Sequence, residues 1–356
     1  MAGWQGRLTA TLSKYIKGKV DAFDRKSPLW ALMKADGRMV YGGTGNKMEW
    51  NLKVKLPTTV AYTDMQTRTF NRHDLLRRLT LEYIAYDCTS AVSKLDVLAN
   101  RGQEQMTNMI QEAVDAISDS MEQQLLADFY ADIADDSTKL AGFGSWENSG
   151  STLSNGVFNG SGTYAGLSCV LGDLGGSAPS SGTWPNGVTT TPQYDAHTPL
   201  HLSSTSTAFG ATATWEANAL AILRQGVMWA SRNSMGEGRP TLFVTTQDYM
   251  SKLFALLEAR ERLSIQSATP KLAKFGFNAV TYYGLECIDD YWCPNATGHG
   301  LNMDALELHS MQADIFSPLE KKDSEIDKTT RLGMDFYGQL KSSVIRGHFD
   351  VAERGS

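Results

Sequence analysis

RPTLFVTTQDYMSKLFALLEARER, residues 239–262, reads as a strand running directly into a helix. TLFVTT at 241–246 is a continuous apolar and β-branched run with no polar alternation, the pattern of a strand covered on both faces. From Gln247 to Arg262 the apolar residues recur three and four apart, which predicts a helix with one buried stripe. The neighbouring segments continue the theme. Upstream, a helix from Trp215 places Leu220, Leu223, Val227 and Ala230 on one face. Downstream come extended pieces at 278–283, 285–290 and 302–309, and then a charged loop at 320–328. In the last long strand Leu332, Met334, Phe336, Leu340 and Val344 share a face, and the strand continues to Arg346. Helix and strand alternating at this spacing predict an α/β unit over 215–330.

The first half of the chain is organised differently. Residues 1–26 hold six bases against Asp21 and Asp24, a local charge of +4, so the rest of the chain sums to −10. A basic arm on an acidic body is suited to reach a partner subunit, a scaffold or phosphate. Ser27 as N-cap and Pro28 at the first helical position open a short helix that closes on Gly37. In NKMEWNLKVKLP, residues 46–57, Met48, Trp50, Leu52, Val54 and Leu56 alternate with polar residues, a two-residue period that predicts a strand with one apolar face. With Met39, Val40 and Tyr41 as its other leg and a second extended stretch at 60–69, it predicts a long hairpin-like loop over 38–72. A two-stranded ribbon is marginal in water. Local sequence offers no cover for its apolar face, so another copy of the chain is the expected cover.

Residues 102–136 keep apolar residues three to four apart from Met106 to Ile133 and predict one long helix. That window carries nine acids and no Lys or Arg, forgoing the usual i,i+4 pairs. Such a face suits either bases brought from elsewhere or a surface that must not bind packed polyanion. Residues 137–214 change character: 38 of 78 are Gly, Ser or Thr, which predicts loop-rich irregular β structure. The aromatics within it, among them Trp146, Tyr164 and Phe209, require burial.

Several functions are excluded by what these residues do not form. A net charge of −6 disfavours a protein devoted to gripping nucleic acid. No run of ~18 apolar residues spans a membrane. Four scattered cysteines make no disulfide framework, and the first twenty residues lack the apolar core of a signal peptide, so a reducing cytoplasm is the expected site of synthesis. GGTGNK at 42–47 lacks the Gly-Lys-Ser/Thr end of a phosphate loop and precedes a strand. Cys287 and Cys293 have the wrong spacing for zinc. His73 among Arg68, Arg72, Arg77 and Arg78 reads as an incidental surface residue. No catalytic, cofactor or metal constellation stands out.

The order of basic arm, short helix, extended loop, long helix and α/β unit resembles the major capsid proteins of tailed bacteriophages, whose fold is shared with herpesvirus shells and encapsulins. The resemblance is carried by residues 239–262, by FNAVTYYGLECIDDYWCP at 277–294 with LNMDAL at 301–306, by SPLWALMKADGRMVYGG at 27–43 and by TYAGLS at 163–168. It implies an α+β capsid fold: an N-terminal arm and short helix (1–37), an extended loop (38–72), a peripheral domain (73–214) built on a spine helix at 102–136, an axial domain (215–330), and a C-terminal strand (331–356) returning to the peripheral domain. Met48, Trp50, Leu52, Val54, Leu56, Arg68 and Arg72 are then the expected inter-subunit contacts. The implied partners are the chain itself, in pentamers and hexamers of an icosahedral shell, and non-specifically packaged double-stranded DNA. Scaffolding, portal and decoration proteins would be further partners, and no membrane is involved. The implied location is the virion capsid, with assembly in the host cytoplasm. An encapsulin-like compartment shell is the alternative within the fold; a carbohydrate-active hydrolase or surface β-protein, prompted by 137–214, is the alternative outside it.

Overall fold

The computed structural model describes residues 27–353 except 55–60, 66, 68–69, 71–75, 94–102, 147–148, 153–156, 161, 171–172, 175–196, 211, 233–237, 259–278, 319–321 and 325–328. Two sheets organise these residues. In the first, β17 (Thr329–Ser342) is the backbone. It pairs antiparallel with β4 (Ile84–Ser93), from Thr329↔Ser93 to Gly338↔Ile84. It pairs likewise with β14 (Leu306–Ser310) and with the short β15 (Ser317–Pro318) and β16 (Lys322–Ser324). The expected alternation holds in β17, where Leu332, Met334, Phe336 and Leu340 are buried. Helix α2 (Gln103–Asp128) packs across β4 and β17.

The second sheet has eight strands in the order β11 (Val280–Tyr282), β12 (Leu285–Asp289), β10 (Leu242–Thr245), β13 (Thr297–Leu301), β18 (Phe349–Ala352), β9 (Leu200–Ser203), β6 (Val157–Gly160), β5 (Ser149–Thr152). Helices α3 (Trp215–Arg232) and α4 (Gln247–Glu258) pack on it, with Trp215 stacked on Tyr249 at 4.6 Å. Alternate residues of β10 face opposite layers. Phe243 joins Leu223, Leu253 and Phe349 on the helix side, whereas Leu242 and Val244 join the core of the first sheet. This two-sided burial is why 241–246 reads as an unbroken apolar run.

Helix α1 (Pro28–Ala35) sits in the core shared by both sheets. Its N-cap Ser27 accepts from the Trp30 amide, and residues 28–33 are all buried. Trp30 lies 6.0 Å from Phe129 and 6.3 Å from Phe316, ring centre to ring centre. Ser27 also donates to the buried Asp290 carboxylate at 3.2 Å, which receives the Tyr130 hydroxyl at 3.0 Å and the Trp292 amide at 3.1 Å. Burial raises the pKa of Asp290 despite these donors.

Four expectations change. The long helix expected at 102–136 stops at Asp128; the chain turns back so that the Phe143 amide bonds the Phe129 carbonyl at 2.7 Å. At 26 residues the helix is roughly 39 Å long. Next, β1 (Met39–Val40) is no hairpin leg: it pairs in parallel with β14, through Met39↔Leu308. Within the expected extended stretch at 60–69, described residues show a turn at Asp64–Met65 and no strand. Finally, the chain does not end in the long strand. A 3-10 turn at Ile345–Gly347 carries it across to β18, which lies between β13 and β9 of the second sheet. The sheets therefore interleave along the chain: β14–β16 fall within 215–330 but join the first sheet, while β5, β6 and β9 fall within 73–214 but join the second.

Candidate assembly surface

The extended loop is a real hairpin with a different second leg. β2 (Lys47–Lys53) pairs with β3 (Leu76–Glu82), from Lys47↔Glu82 to Lys53↔Leu76, and the Tyr83 amide bonds the Asn46 carbonyl at its base. The outer face is charged. Lys47 pairs with Glu82 at 2.6 Å and Arg78 with Glu49, solvent-screened surface pairs that contribute little to stability. The inner face carries Met48, Leu52, Leu79 and Leu81, all buried.

What buries them is this same chain, which corrects the expectation that only a neighbour could. They belong to the core around α1, α2 and β17. The cover comes from segments distant in sequence: the Thr80 amide donates to the Ala165 carbonyl at 2.9 Å, and the Gln339 side chain donates to the Glu82 carbonyl at 3.1 Å. Trp50 is half-buried beneath the Lys341 ammonium, 5.4 Å from the ring centre. Lys341 is in turn held by Glu307 at 2.8 Å. His309 donates to the same carboxylate at 3.0 Å, and His309 and then Lys341 depress the pKa of Glu307 to about 2.

Of the residues expected at inter-subunit contacts, Met48 and Leu52 are therefore core, and Trp50 and Val54 are half-buried. Leu56, Arg68 and Arg72 lie outside the described residues. The exposed apolar surface lies further out. Tyr62 is 61%, Met65 98%, Phe70 92% and Leu76 50% exposed. Met65 also has φ 69°, a backbone region that bulky residues seldom occupy. Tyr62 and Met65 fall in the extended stretch expected at 60–69, but neither they nor Phe70 stand out as contacts, because TDMQTRTFNRHD, residues 63–74, has no alternating apolar face. Their available signal was two large apolar side chains isolated in a polar stretch.

The acid-rich helix is less uniform than its composition suggests. Asp128 is buried, accepting from the Tyr86 hydroxyl at 2.6 Å and the Gln124 amide at 2.8 Å, and Glu122 is buried too. Asp132 and Asp136 lie past the helix end, where they accept the Ala134 and Thr138 amides. Glu112 is exposed, with Asp115 and Asp119 half-buried. Among the described residues no group of three His, Cys, Asp or Glu is placed to hold a metal, and no helix is long and apolar enough to cross a membrane.

No protein-family model matches the chain, and no curated protein matches it in sequence. Its structure does have counterparts. A chain of the Cyanophage A-1(L) capsid asymmetric unit matches with a TM-score of 0.55 at 15% identity, over 89% of this chain and 90% of that one. A chain from the capsid of an empty GTA particle gives 0.53 at 9% identity, over 90% and 89%. One from the capsid of Cyanophage P-SCSP1u gives 0.50 at 11%, over 89% and 87%. The fold is therefore the α+β phage capsid fold.

Proposed function

We propose that this chain is the major capsid protein of a tailed double-stranded-DNA bacteriophage, a structural rather than catalytic protein. Its copies form the pentamers and hexamers of an icosahedral shell around the genome. The observation that carries this reading is the two-way coverage: about nine-tenths of this chain superposes on about nine-tenths of phage and GTA capsid chains. The hairpin tip supports it. A chain that docks the base of a two-stranded ribbon on its own core, yet presents Tyr62, Met65 and Phe70 to solvent, has an apolar surface suited to a neighbouring copy. Closed shells require such heterologous contacts to return on themselves by symmetry. In this reading the tip embraces the adjacent subunit, the basic arm at 1–26 crosses the subunit boundary, and the sheet carrying α3 and α4 meets its copies around the five- and six-fold axes. Scaffolding, portal and decoration proteins would meet the assembled surface, and packaged DNA would touch its inside without sequence preference. Location in the virion, after assembly in host cytoplasm, follows from the same reading. Sedimentation of the purified full-length chain tests it: capsomers or megadalton particles are expected, and a chain that stays monomeric or dimeric up to millimolar concentration would overturn it.

A further inference from the structure

Four of the six histidines, His197, His201, His299 and His348, are at most 2% exposed, and His299, His348 and His197 lie against the rings of Phe143, Trp146 and Tyr164. His348 has the most consequential place. It directly follows the 3-10 turn at Ile345–Gly347, the only stretch joining β17 of the first sheet to β18 of the second. Its Nδ1 accepts the Asn302 backbone amide at 3.0 Å, just beyond β13. A backbone N–H can only donate, so the neutral ring carries its proton on Nε2, which faces the Ser342 hydroxyl of β17 at 2.9 Å. One face of the ring stacks on Trp146 at 5.5 Å.

We propose that His348 is an acid-operated latch: a proton on Nδ1 turns the acceptor of the Asn302 amide into a second donor, breaks that bond, and frees the β17–β18 crossover and β18 from the second sheet. The groups around it do not compensate such a charge. Tyr164 accepts the Ser342 amide at 3.0 Å, and its carbonyl is bonded by His197 at 3.1 Å. Arg346, two residues earlier, donates to the Trp229 carbonyl in α3 at 3.3 Å. His299 lies against Phe143 and Tyr130. The carboxylates nearest in sequence are engaged elsewhere, Asp350 with His201 and Asp304 with Arg38. Burial alone holds the His348 pKa down to about 3. His197 differs: its bond to the Tyr164 carbonyl survives protonation, so it adds a burial penalty without unfastening the crossover. The latch is a property of the folded chain and does not rest on the shell reading.

Hydrogen exchange measured by mass spectrometry on the full-length protein tests it, with opening constants corrected for the intrinsic pH dependence of exchange. An exposed imidazole titrates near 6.5 and the seated one near 3, so lowering the pH from 7 to about 4.5 raises the opening of residues 343–352 about 70-fold. Amides of helix α4, Gln247–Glu258, that exchange by local opening, with the histidines still seated, should change far less. His348→Asn keeps an acceptor for the amide but cannot titrate, and should flatten the rise to within about threefold. Equal acid sensitivity of 343–352 and of the locally opening α4 amides in the wild type would overturn the latch, as would an undiminished rise in His348→Asn. Should that variant fail to fold, the contrast between the two wild-type segments decides alone.

Discussion

Replacing Met65 and Phe70 together by serine should abolish or severely weaken assembly while leaving the subunit folded. Both side chains are almost wholly in water in the single chain, at 98% and 92% exposure, so the substitutions remove no internal contact of consequence. Exposed substitutions of this kind change stability by about 0.5 kcal/mol or less. Burying a Met or Phe against a neighbour, by contrast, contributes roughly 1.5–3 kcal/mol each. The pair therefore accounts for roughly 3–6 kcal/mol per subunit contact, or about 10²- to 10⁴-fold in association constant. The assay is sedimentation velocity across a concentration series, with circular dichroism melts on the same samples. The expected result is an unchanged melt and an assembly threshold raised by at least two orders of magnitude. A double variant that assembles at the wild-type concentration would refute the assignment of the tip. One that melts early would show that the tip belongs to the core.

Other outcomes follow from the interior. Between pH 7 and 5 the folded chain should lose about 3–4 kcal/mol from His197 and His348, because burial lowers their pKa values to about 4 and about 3 and the unfolded chain alone takes up the protons. That contribution is complete above pH 6.5 and shrinks as the pH falls; urea melts at the two pH values check it, and identical midpoints would contradict it. Trp30→Ala should cost about 3–5 kcal/mol in the same assay, since the ring is fully buried in the core shared by both sheets. Gly338→Ala should destabilise by more than 1 kcal/mol, because its Cβ would lie 2.4 Å from the His309 carbonyl oxygen at the β14–β17 pairing; a neutral melt would show that the two strands separate readily.

Much of the architecture was legible where local chemistry decides it. The Ser27–Pro28 start of α1, the buried run that became β10, the apolar stripe of α3 and the alternation in β17 each follow from a few neighbouring residues. What escaped was set at a distance. Apolar spacing continues through Phe129 and Ile133, so nothing local ends α2 at Asp128; the return of Phe143 to the Phe129 carbonyl does. Strand β13, TGHGL, was hidden by its own glycines, which are there because Phe349 and Phe243 occupy the space a side chain would need: a Cβ on Gly300 would lie 2.1 Å from the Phe349 ring. The hairpin face read as apolar, correctly, but its cover is the core around α1, α2 and β17, which only the folded chain brings near. Of the residues expected there, Met48 and Leu52 are core, whereas the large exposed apolar side chains of the loop are Met65 and Phe70.

The account depends most on the hairpin tip being covered by another copy of the chain. Peroxide footprinting of Met65 reads this directly, because a methionine oxidises in proportion to its exposure. In dissociated subunits Met65 should oxidise as fast as free methionine. In assembled particles it should be protected at least tenfold, while masses of peptides lacking methionine stay fixed. Equal oxidation of Met65 in particles and in subunits would contradict the account.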